Sequence, residues 1–403
     1  MDCSISSLSF PVGVAFALAL VLTPLARAAA RRAGAISYPD AKRRLHSAPV
    51  PLWGGAAVCL SMFLGLLVAC WTLPGDREPL IDLALVPAAG LACLFGALDD
   101  RWDLSPRLKL CLQLLSVTPV VVSGYYVEHF TVFRCHVGLG WLGLPLTVVW
   151  LLGCINALNL IDGVDGLASV VGLSTATMMG IVAANSGNDH VAVVAMLLAA
   201  GLAGFLIYNL PPASIFLGDS GSTLIGLVVG ILGIQGGMKS SATLSITAPA
   251  VIMILPMFDV VMAVLRRKLT GRRFDVGDRG HIHHLLLDRG LSPWQVVCVI
   301  GALCLTTGSA ATAATFLRMD ALAWLIASVL IFLMVRLRLF GHYEVGLLRG
   351  AVRRRMVNLI NWGLGRTPVQ HAPPGAHSPQ RDAPDRTVPG TGKEQPQPVR
   401  KAA

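Results

Sequence analysis

Apolar runs close to the length that crosses a bilayer, about 20 residues, recur along the chain from Leu8 to Phe340. Such a chain has few ways to fold. In hydrocarbon every backbone N–H and C=O must be satisfied internally, and uninterrupted runs of this length do that as helices. The balance of residues agrees: 54% are hydrophobic and 13% charged over 403 residues, against about 25% charged in a soluble domain, and the mean hydropathy is +0.67. The expected spans are 8–30, 54–73, 81–98, 108–123, 142–159, 167–185, 190–208, 221–237, 244–265, 294–316 and 320–340, about eleven helices in all. The fold class is therefore an all-α polytopic transmembrane bundle, one membrane domain over residues 1–345. The first run lacks the basic n-region of a signal peptide and reads as a retained helix. Residues 125–140 are amphipathic and aromatic, a short hairpin or a re-entrant piece. From Gly363 to Ala403, Pro, Gly, Gln, Arg and Lys dominate, a composition that cannot bury a core and predicts a disordered cytoplasmic tail.

The net charge of +10 is read through its distribution and not as affinity for nucleic acid. With the N-terminus outside, the inner loops hold Arg27, Arg31, Arg32, Lys42, Arg43, Arg44, Arg101, Arg107, Lys109, Arg266, Arg267, Lys268, Arg272, Arg273, Arg279 and Arg289, while the outer loops hold Arg77, Arg134, Lys239 and Arg318. By the positive-inside rule this split predicts an N-out, C-in topology. Every polar motif then falls on the cytoplasmic side. The nine cysteines are scattered through apolar runs with no Cys-x-x-Cys pair and read as small hydrophobes, a pairing of Cys3 with Cys135 being left open.

Where the run Leu142 to Ile155 should continue in hydrocarbon, the sequence instead reads Asn156-Ala-Leu-Asn159-Leu-Ile-Asp162-Gly163-Val-Asp165-Gly166. On a helix that three-residue spacing stacks two amides and two carboxylates down one face. Ionisable groups at a membrane boundary are costly unless they meet a cavity, a metal or a partner, so this face reads as a ligand site. A polar turn is the plainer reading. Asp99 and Asp100 close another span, a pair suited to a divalent cation or a shared proton, or else a solvated helix end. Phe216-Leu-Gly218-Asp219-Ser220-Gly221-Ser222 opens a further span, where glycines let the backbone approach a phosphate, although a capping turn would look the same. The last loop carries Asp278-Arg279-Gly280-His281-Ile282-His283-His284 among basic residues. The positive surroundings favour an anion over zinc there. The first inner loop, with Lys42, Arg43 and His46 ahead of Gly54-Gly55, could receive phosphate oxygens or simply follow the positive-inside rule.

In this order and on one side, the motifs from Tyr38 to Arg289 resemble the polyprenyl-phosphate N-acetylhexosamine-1-phosphate transferases, the integral-membrane glycosyltransferase family 4, in its bacterial undecaprenyl-phosphate GlcNAc-1-phosphate branch. The resemblance implies transfer of N-acetylglucosamine 1-phosphate from UDP-GlcNAc to undecaprenyl phosphate with release of UMP, in the inner membrane with the site on its cytoplasmic face, initiating a cell-envelope polysaccharide. By the same resemblance Asn159 and Asp219 hold Mg²⁺, for which Mn²⁺ could substitute. Asp99 and Asp100 deprotonate or position the lipid phosphate, Asp162 and Asp165 contact nucleotide or substrate, and Arg279, His281, His283 and His284 grip phosphate or sugar. Lys42, Arg43, His46 and Asn156 complete the expected substrate contacts. A homodimer is left open, and no nucleic-acid partner is expected. The alternatives are a phospho-N-acetylmuramoyl-pentapeptide transferase within the enzyme class and an ion-coupled transporter outside it, the latter wanting charges at mid-span and inverted repeats. A membrane metalloprotease would need His-Glu-x-x-His, which the sequence lacks.

Overall fold

A computed structural model describes residues 5–39, 48–73, 84–132, 135–238, 247–271, 280–317 and 319–363. The chain runs α1 (Ile5–Ala33), β1 (Ile36–Ser37), β2 (Val50–Pro51), α2 (Gly54–Thr72), α3 (Leu85–Trp102), α4 (Pro106–Val122), β3 (His129–Val132), β4 (Cys135–Gly138), a 3₁₀ turn (Gly140–Leu142) and α5 (Gly143–Ile161). It continues through α6 (Leu167–Asn185), α7 (Asp189–Asn209), α8 (Gly218–Met238), α9 (Thr247–Ile252), α10 (Ile254–Thr270), α11 (Ile282–Asp288), α12 (Pro293–Leu317), α13 (Asp320–Arg336) and α14 (His342–Gly363).

Seven helices among the described residues are long and apolar enough to cross a membrane: α1, α2, the 3₁₀ turn with α5, α6, α7, α8 and α12. The protein is thus an all-α polytopic membrane protein, with two short antiparallel strand pairs among the described residues. Other expected spans fall on helices that are shorter or carry charge. α3 ends in Asp99, Asp100 and Arg101, while α4 and α13 have 17 residues each. The expected single span 244–265 is divided, because the chain turns at Met253 between α9 and α10. The segment left undecided at 125–140 is a hairpin, β3 pairing antiparallel with β4 in the register His129 to Gly138 and Val132 to Cys135. The expected tail lies outside the described residues, as does the pairing of Cys3 with Cys135. Among the described residues, Cys59, Cys93, Cys111, Cys154, Cys298 and Cys304 form no disulfide.

The bundle is built around α8, 94% of whose apolar window is buried. An all-round apolar helix is the kind that can occupy a bundle centre. α3 and α5 lie along α8, and α6 pairs with α7. Small residues allow the closest approaches, as expected where lipid tails compete with side chains for apolar contact. At Gly96 of α3, an added Cβ would lie 2.3 Å from the Asp219 carbonyl oxygen, so nothing larger than glycine brings α3 this near the first turn of α8. The opening of α2 joins the same place: Gly54 N–H donates to Phe216 O at 3.0 Å, Gly55 N–H to Leu217 O at 2.9 Å, and Phe216 N–H returns to Pro51 O at 2.9 Å. Trp53 Nε1 donates to Ala97 O at 3.0 Å. The ends of α2, α3 and α8 are therefore fixed to one another, and they carry the motifs.

Candidate active site

Asp99 and Asp100 are adjacent in sequence but turn to different partners. Asp100 reaches the start of α8, its Oδ1 accepting from Asp219 N–H at 2.7 Å and its Oδ2 from Ser220 N–H at 3.1 Å. A carboxylate at a helix N-terminus satisfies otherwise unpaired N–H groups and complements the dipole. An acid at the C-terminal end of its own helix opposes that helix's dipole. Its tertiary partner is the start of another helix, where a negative charge is favoured. The pair thus does not face one shared proton, and Asp100 holds Asp219 in place.

Asp99 is buried; its Oδ1 accepts from Leu104 N–H at 2.9 Å and its Oδ2 lies 2.6 Å from Lys109 Nζ. The same ammonium lies 2.8 Å from Asp219 Oδ2. The other oxygen of Asp219 accepts from Asn159 Nδ2, which also reaches Ser222 Oγ at 3.1 Å. Four helices, α3, α4, α5 and α8, thereby place Asp99, Lys109, Asn159 and Asp219 in one connected cluster. Asn156, one turn before Asn159, donates to Gln113 Oε1 at 3.2 Å and to Leu152 O at 2.8 Å. It extends the polar face towards α4.

The expectation of four side chains on one helix face is corrected. α5 ends at Ile161, and Asp162 to Gly166 form a turn that enters α6 through Gly166 at φ +75°. Only Asn156 and Asn159 share the helix. Asp165 Oδ2 accepts from Ala213 N–H at 2.9 Å and so ties this turn to the loop that leads into α8. Asn209 secures the same loop, accepting from Ser169 Oγ at 2.7 Å and donating to Ile215 O at 3.0 Å. Burial, with the carboxylates of Asp219, Asp100 and Asp165 nearby, holds the pKa of Asp162 well above the usual carboxylate range.

The histidines come next. His281 Nδ1 lies 3.0 Å from Asp259 Oδ2, both side chains buried, and Asp259 Oδ1 accepts from Ile282 N–H at 3.4 Å. His283 is buried against the aspartate turn. A Cβ on Gly163 would lie 2.3 Å from His283 Nε2, so glycine makes the room for that ring. His281 and His284 flank it with ring centroids at 5.9 and 4.2 Å. Neither nitrogen of His283 has a hydrogen-bond partner among the described residues. Burial, then the neighbouring His284 and His281, lowers its pKa to about 3, so it is neutral at physiological pH.

This shift has a sign that can be tested. Below about 6.5 the unfolded chain binds a proton on this residue that the fold refuses until about pH 3. His283 therefore costs stability as the pH falls through that window, about 2 kcal/mol at pH 5. Thermal unfolding in detergent should show a lower midpoint at pH 5 than at pH 7.5, and His283→Leu should reduce the difference. An unchanged difference would contradict the neutral, buried state.

Lys42, Arg43, His46 and Arg279 lie outside the described residues. Two members of the site were not singled out from sequence. Lys109 reads from the sequence only as an inner-loop charge, and Asp259 lies within the expected span 244–265 with no motif around it. Each stood out in principle as a lone charge in an apolar stretch, Leu108 to Leu112 and Met257 to Val261. Among the described residues no three His, Cys, Asp or Glu side chains form a metal cluster.

Charged and amide groups gathered where several apolar helices end make this a polytopic membrane protein with a polar site at one end of its bundle. The chain belongs to glycosyl transferase family 4, whose family model matches residues 83–237, from just before α3 to the end of α8. It is 36% identical over 286 residues to a Bacillus subtilis protein named as a probable undecaprenyl-phosphate N-acetylglucosaminyl 1-phosphate transferase, covering 70% of this chain and 77% of the relative. It is 32% identical over 303 residues to the decaprenyl-phosphate N-acetylglucosaminephosphotransferase of Mycolicibacterium smegmatis, covering 68% and 74%. Against the undecaprenyl-phosphate alpha-N-acetylglucosaminyl 1-phosphate transferase of Escherichia coli K12 it is 28% identical over 284 residues, covering 68% and 75%.

Proposed function

We propose that this chain transfers N-acetylglucosamine 1-phosphate from UDP-N-acetylglucosamine to undecaprenyl phosphate, giving undecaprenyl-pyrophosphoryl-N-acetylglucosamine and UMP, the first step of a cell-envelope polysaccharide. Its orientation is N-terminus out and C-terminus in, with about eleven crossings, and its site faces the cytoplasm at the inner membrane. The observation that carries this reading is the Asp99–Lys109–Asp219–Asn159 cluster at the ends of four helices. A lipid phosphate and a water-soluble nucleotide sugar can meet only at such a boundary. A transporter would place these charges at mid-span. The relatives' names favour N-acetylglucosamine over a muramoyl pentapeptide.

In the transfer, an oxygen of the lipid phosphate attacks the β-phosphorus of the UDP-sugar. The bond from that phosphorus to the oxygen bridging the two phosphates breaks, and UMP leaves with the bond's electron pair. The donor set fits Mg²⁺. Asp219 and Asn159 offer hard oxygens, one of them charged, and few protein ligands suit an ion that keeps phosphate oxygens and waters. The position of Lys109 between two carboxylates marks the place as one that draws cations. When bound, the metal supplies neutralisation of charge on the pyrophosphate oxygens. Lys109 itself balances Asp99 and Asp219 and is placed to meet phosphate. Asp99 positions the lipid phosphate through that lysine, and Asp100 keeps the start of α8 rigid. Asp162, Asp165, Asn156, His283 and His284 line the approach for nucleotide and sugar, with Lys42, Arg43, His46 and Arg279 as phosphate contacts from the flanking loops.

Asp259 fixes the tautomer and direction of His281, because an Nδ1–H donated to a carboxylate leaves Nε2 for the substrate. Asp259→Ala is expected to lower kcat by about 10- to 100-fold, the usual cost of losing a histidine's orienting partner, with little change in KM. Asp259→Glu should recover part of the loss. A change confined to KM would place Asp259 in binding instead.

The direct test uses detergent-purified protein with Mg²⁺, undecaprenyl phosphate and radiolabelled UDP-N-acetylglucosamine. Lipid-soluble label and UMP should appear together. Label transferred from UDP-N-acetylmuramoyl pentapeptide, and none from UDP-N-acetylglucosamine, would overturn the assignment.

A further inference from the structure

The last described helix, α14, has two unlike faces. Its inner face is pinned to the bundle at the end that carries the site. Glu344, 3% exposed, pairs with Arg266 of α10, 7% exposed, whose guanidinium lies against Gly280 next to His281. Phe340, just before the helix, is fully buried and meets Phe258 of α10 edge-on, with ring centroids 5.6 Å apart at 81°. Arg289 donates to the Arg338 carbonyl and closes the turn from α13. These contacts on α10 and on the α13 turn fix the rotation of α14 about its own axis.

From buried Glu344 the same i, i+4 row leaves the bundle, and beyond that anchor it becomes an exposed apolar stripe. Leu348, Val352 and Met356, at i, i+4 and i+8, are 41%, 49% and 58% exposed. Arg349 and Arg353 flank the stripe on one side and Arg355 on the other, all three exposed. A helix facing bulk water has no reason to keep its outward stripe apolar and edge it with guanidinium groups. A helix lying in the interfacial layer of a bilayer has both reasons, acyl chains for the stripe and anionic headgroups for the rim. The bilayer is also at hand, because α14 follows apolar α13 after the short turn 337–341 and α13 exposes Leu325, Val329, Phe332 and Leu333 to the surroundings of the bundle.

We propose that α14 is an interfacial helix seated on the membrane beside the site, with Leu348, Val352 and Met356 among the acyl chains and Arg349, Arg353 and Arg355 against the phosphates of anionic lipids. The occupant of this face is lipid, not a second protein. Because Glu344 joins α14 to Arg266, two turns beyond Asp259 on α10, the lipid-held helix also braces the element that orients His281.

The test uses the full chain in nanodiscs of phosphatidylcholine with a minority of radiolabelled phosphatidylglycerol. A photoreactive residue is introduced as Val352→p-benzoylphenylalanine, Met356→p-benzoylphenylalanine or, on the inner face, Ala351→p-benzoylphenylalanine. Irradiation should attach lipid from positions 352 and 356 and not from 351. In the Val352 variant, adding Arg349→Gln, Arg353→Gln and Arg355→Gln should lower the enrichment of labelled anionic lipid over phosphatidylcholine by at least about fivefold, the factor expected from a single basic group near an anionic surface. Cross-linking from 352 to protein, or no lipid adduct at all, would overturn the placement. Lipid adducts whose headgroup preference ignores the three arginines would overturn the anionic contact.

Discussion

Asp219→Ala is expected to lower turnover by at least about a thousandfold, a barrier rise of roughly 4 kcal/mol, in protein that still extracts and unfolds like the parent. Two of the cluster's links are made by this one side chain: Lys109 on Oδ2 and Asn159 on Oδ1. Its removal takes away the charged ligand proposed for Mg²⁺ and leaves Lys109 to turn wholly to Asp99. The fold should tolerate the change, because Asp100 holds the start of α8 through the main-chain N–H groups of residues 219 and 220, which alanine retains. Asn159→Ala should be nearly as damaging, since the proposed metal site would lose a ligand of less charge but equal place, and Asp219 would lose the amide that holds it. EDTA should silence the parent enzyme, and Mg²⁺ or Mn²⁺ should restore it. The measurement is release of UMP by folded protein. A variant that kept more than about a tenth of the rate, a rise under roughly 1.4 kcal/mol, would remove Asp219 from the metal site.

Lys109→Met should produce the second large effect, and it should split into two parts. The Lys109 and Asp219 side chains are 28% and 30% exposed, whereas Asp99 is at 6%. Loss of the ammonium therefore strands Asp99 more than Asp219. Breaking a buried pair from one side costs about 3–5 kcal/mol, and partial exposure of the lysine takes the expected loss of stability to the lower end or below it, about 2–3 kcal/mol. Turnover should fall about a hundredfold or more, because two carboxylates near the incoming phosphates are left unbalanced. Combining Lys109→Met with Asp99→Asn should recover much of the stability, since no buried charge is then unpaired, but little of the turnover. Thermal unfolding and initial rates on the two single variants and the double separate these parts. Recovery of both would mean that Lys109 serves the fold alone.

The site was only partly legible in the chain. Asp219, Asn159 and the aspartate turn stood out because polar groups at the ends of apolar runs are expensive and short motifs gathered them. Lys109 and Asp259 stood out less. Each is a single charge, and a single charge in an apolar run looks the same whether it faces a site, a structural partner or a loop. Asp100 shows the limit from another side. Its own helix gives it an unfavourable position, and only the approach of α8, made possible by Gly96, supplies the N–H groups that stabilise it. The aspartate motif misled by its spacing, since three-residue steps suggest one helical face and yet glycines at 163 and 166 end the helix after two of the four.

By itself the sequence determined the class of fold and which residue types could carry chemistry, because hydropathy over about 20 residues is a local property and so is the cost of a charge within it. It also displayed the motifs that place the chain in its family. The tertiary structure alone decided the pairings: Lys109 between Asp99 and Asp219, Asp100 on α8, Asp259 on His281, Glu344 on Arg266. These join positions from 10 to 119 residues apart, and the outward face of α14 was likewise set by its anchors on α10. The physical reason is that a charge chooses its partner by distance and burial in space, and neither quantity exists until the helices have packed.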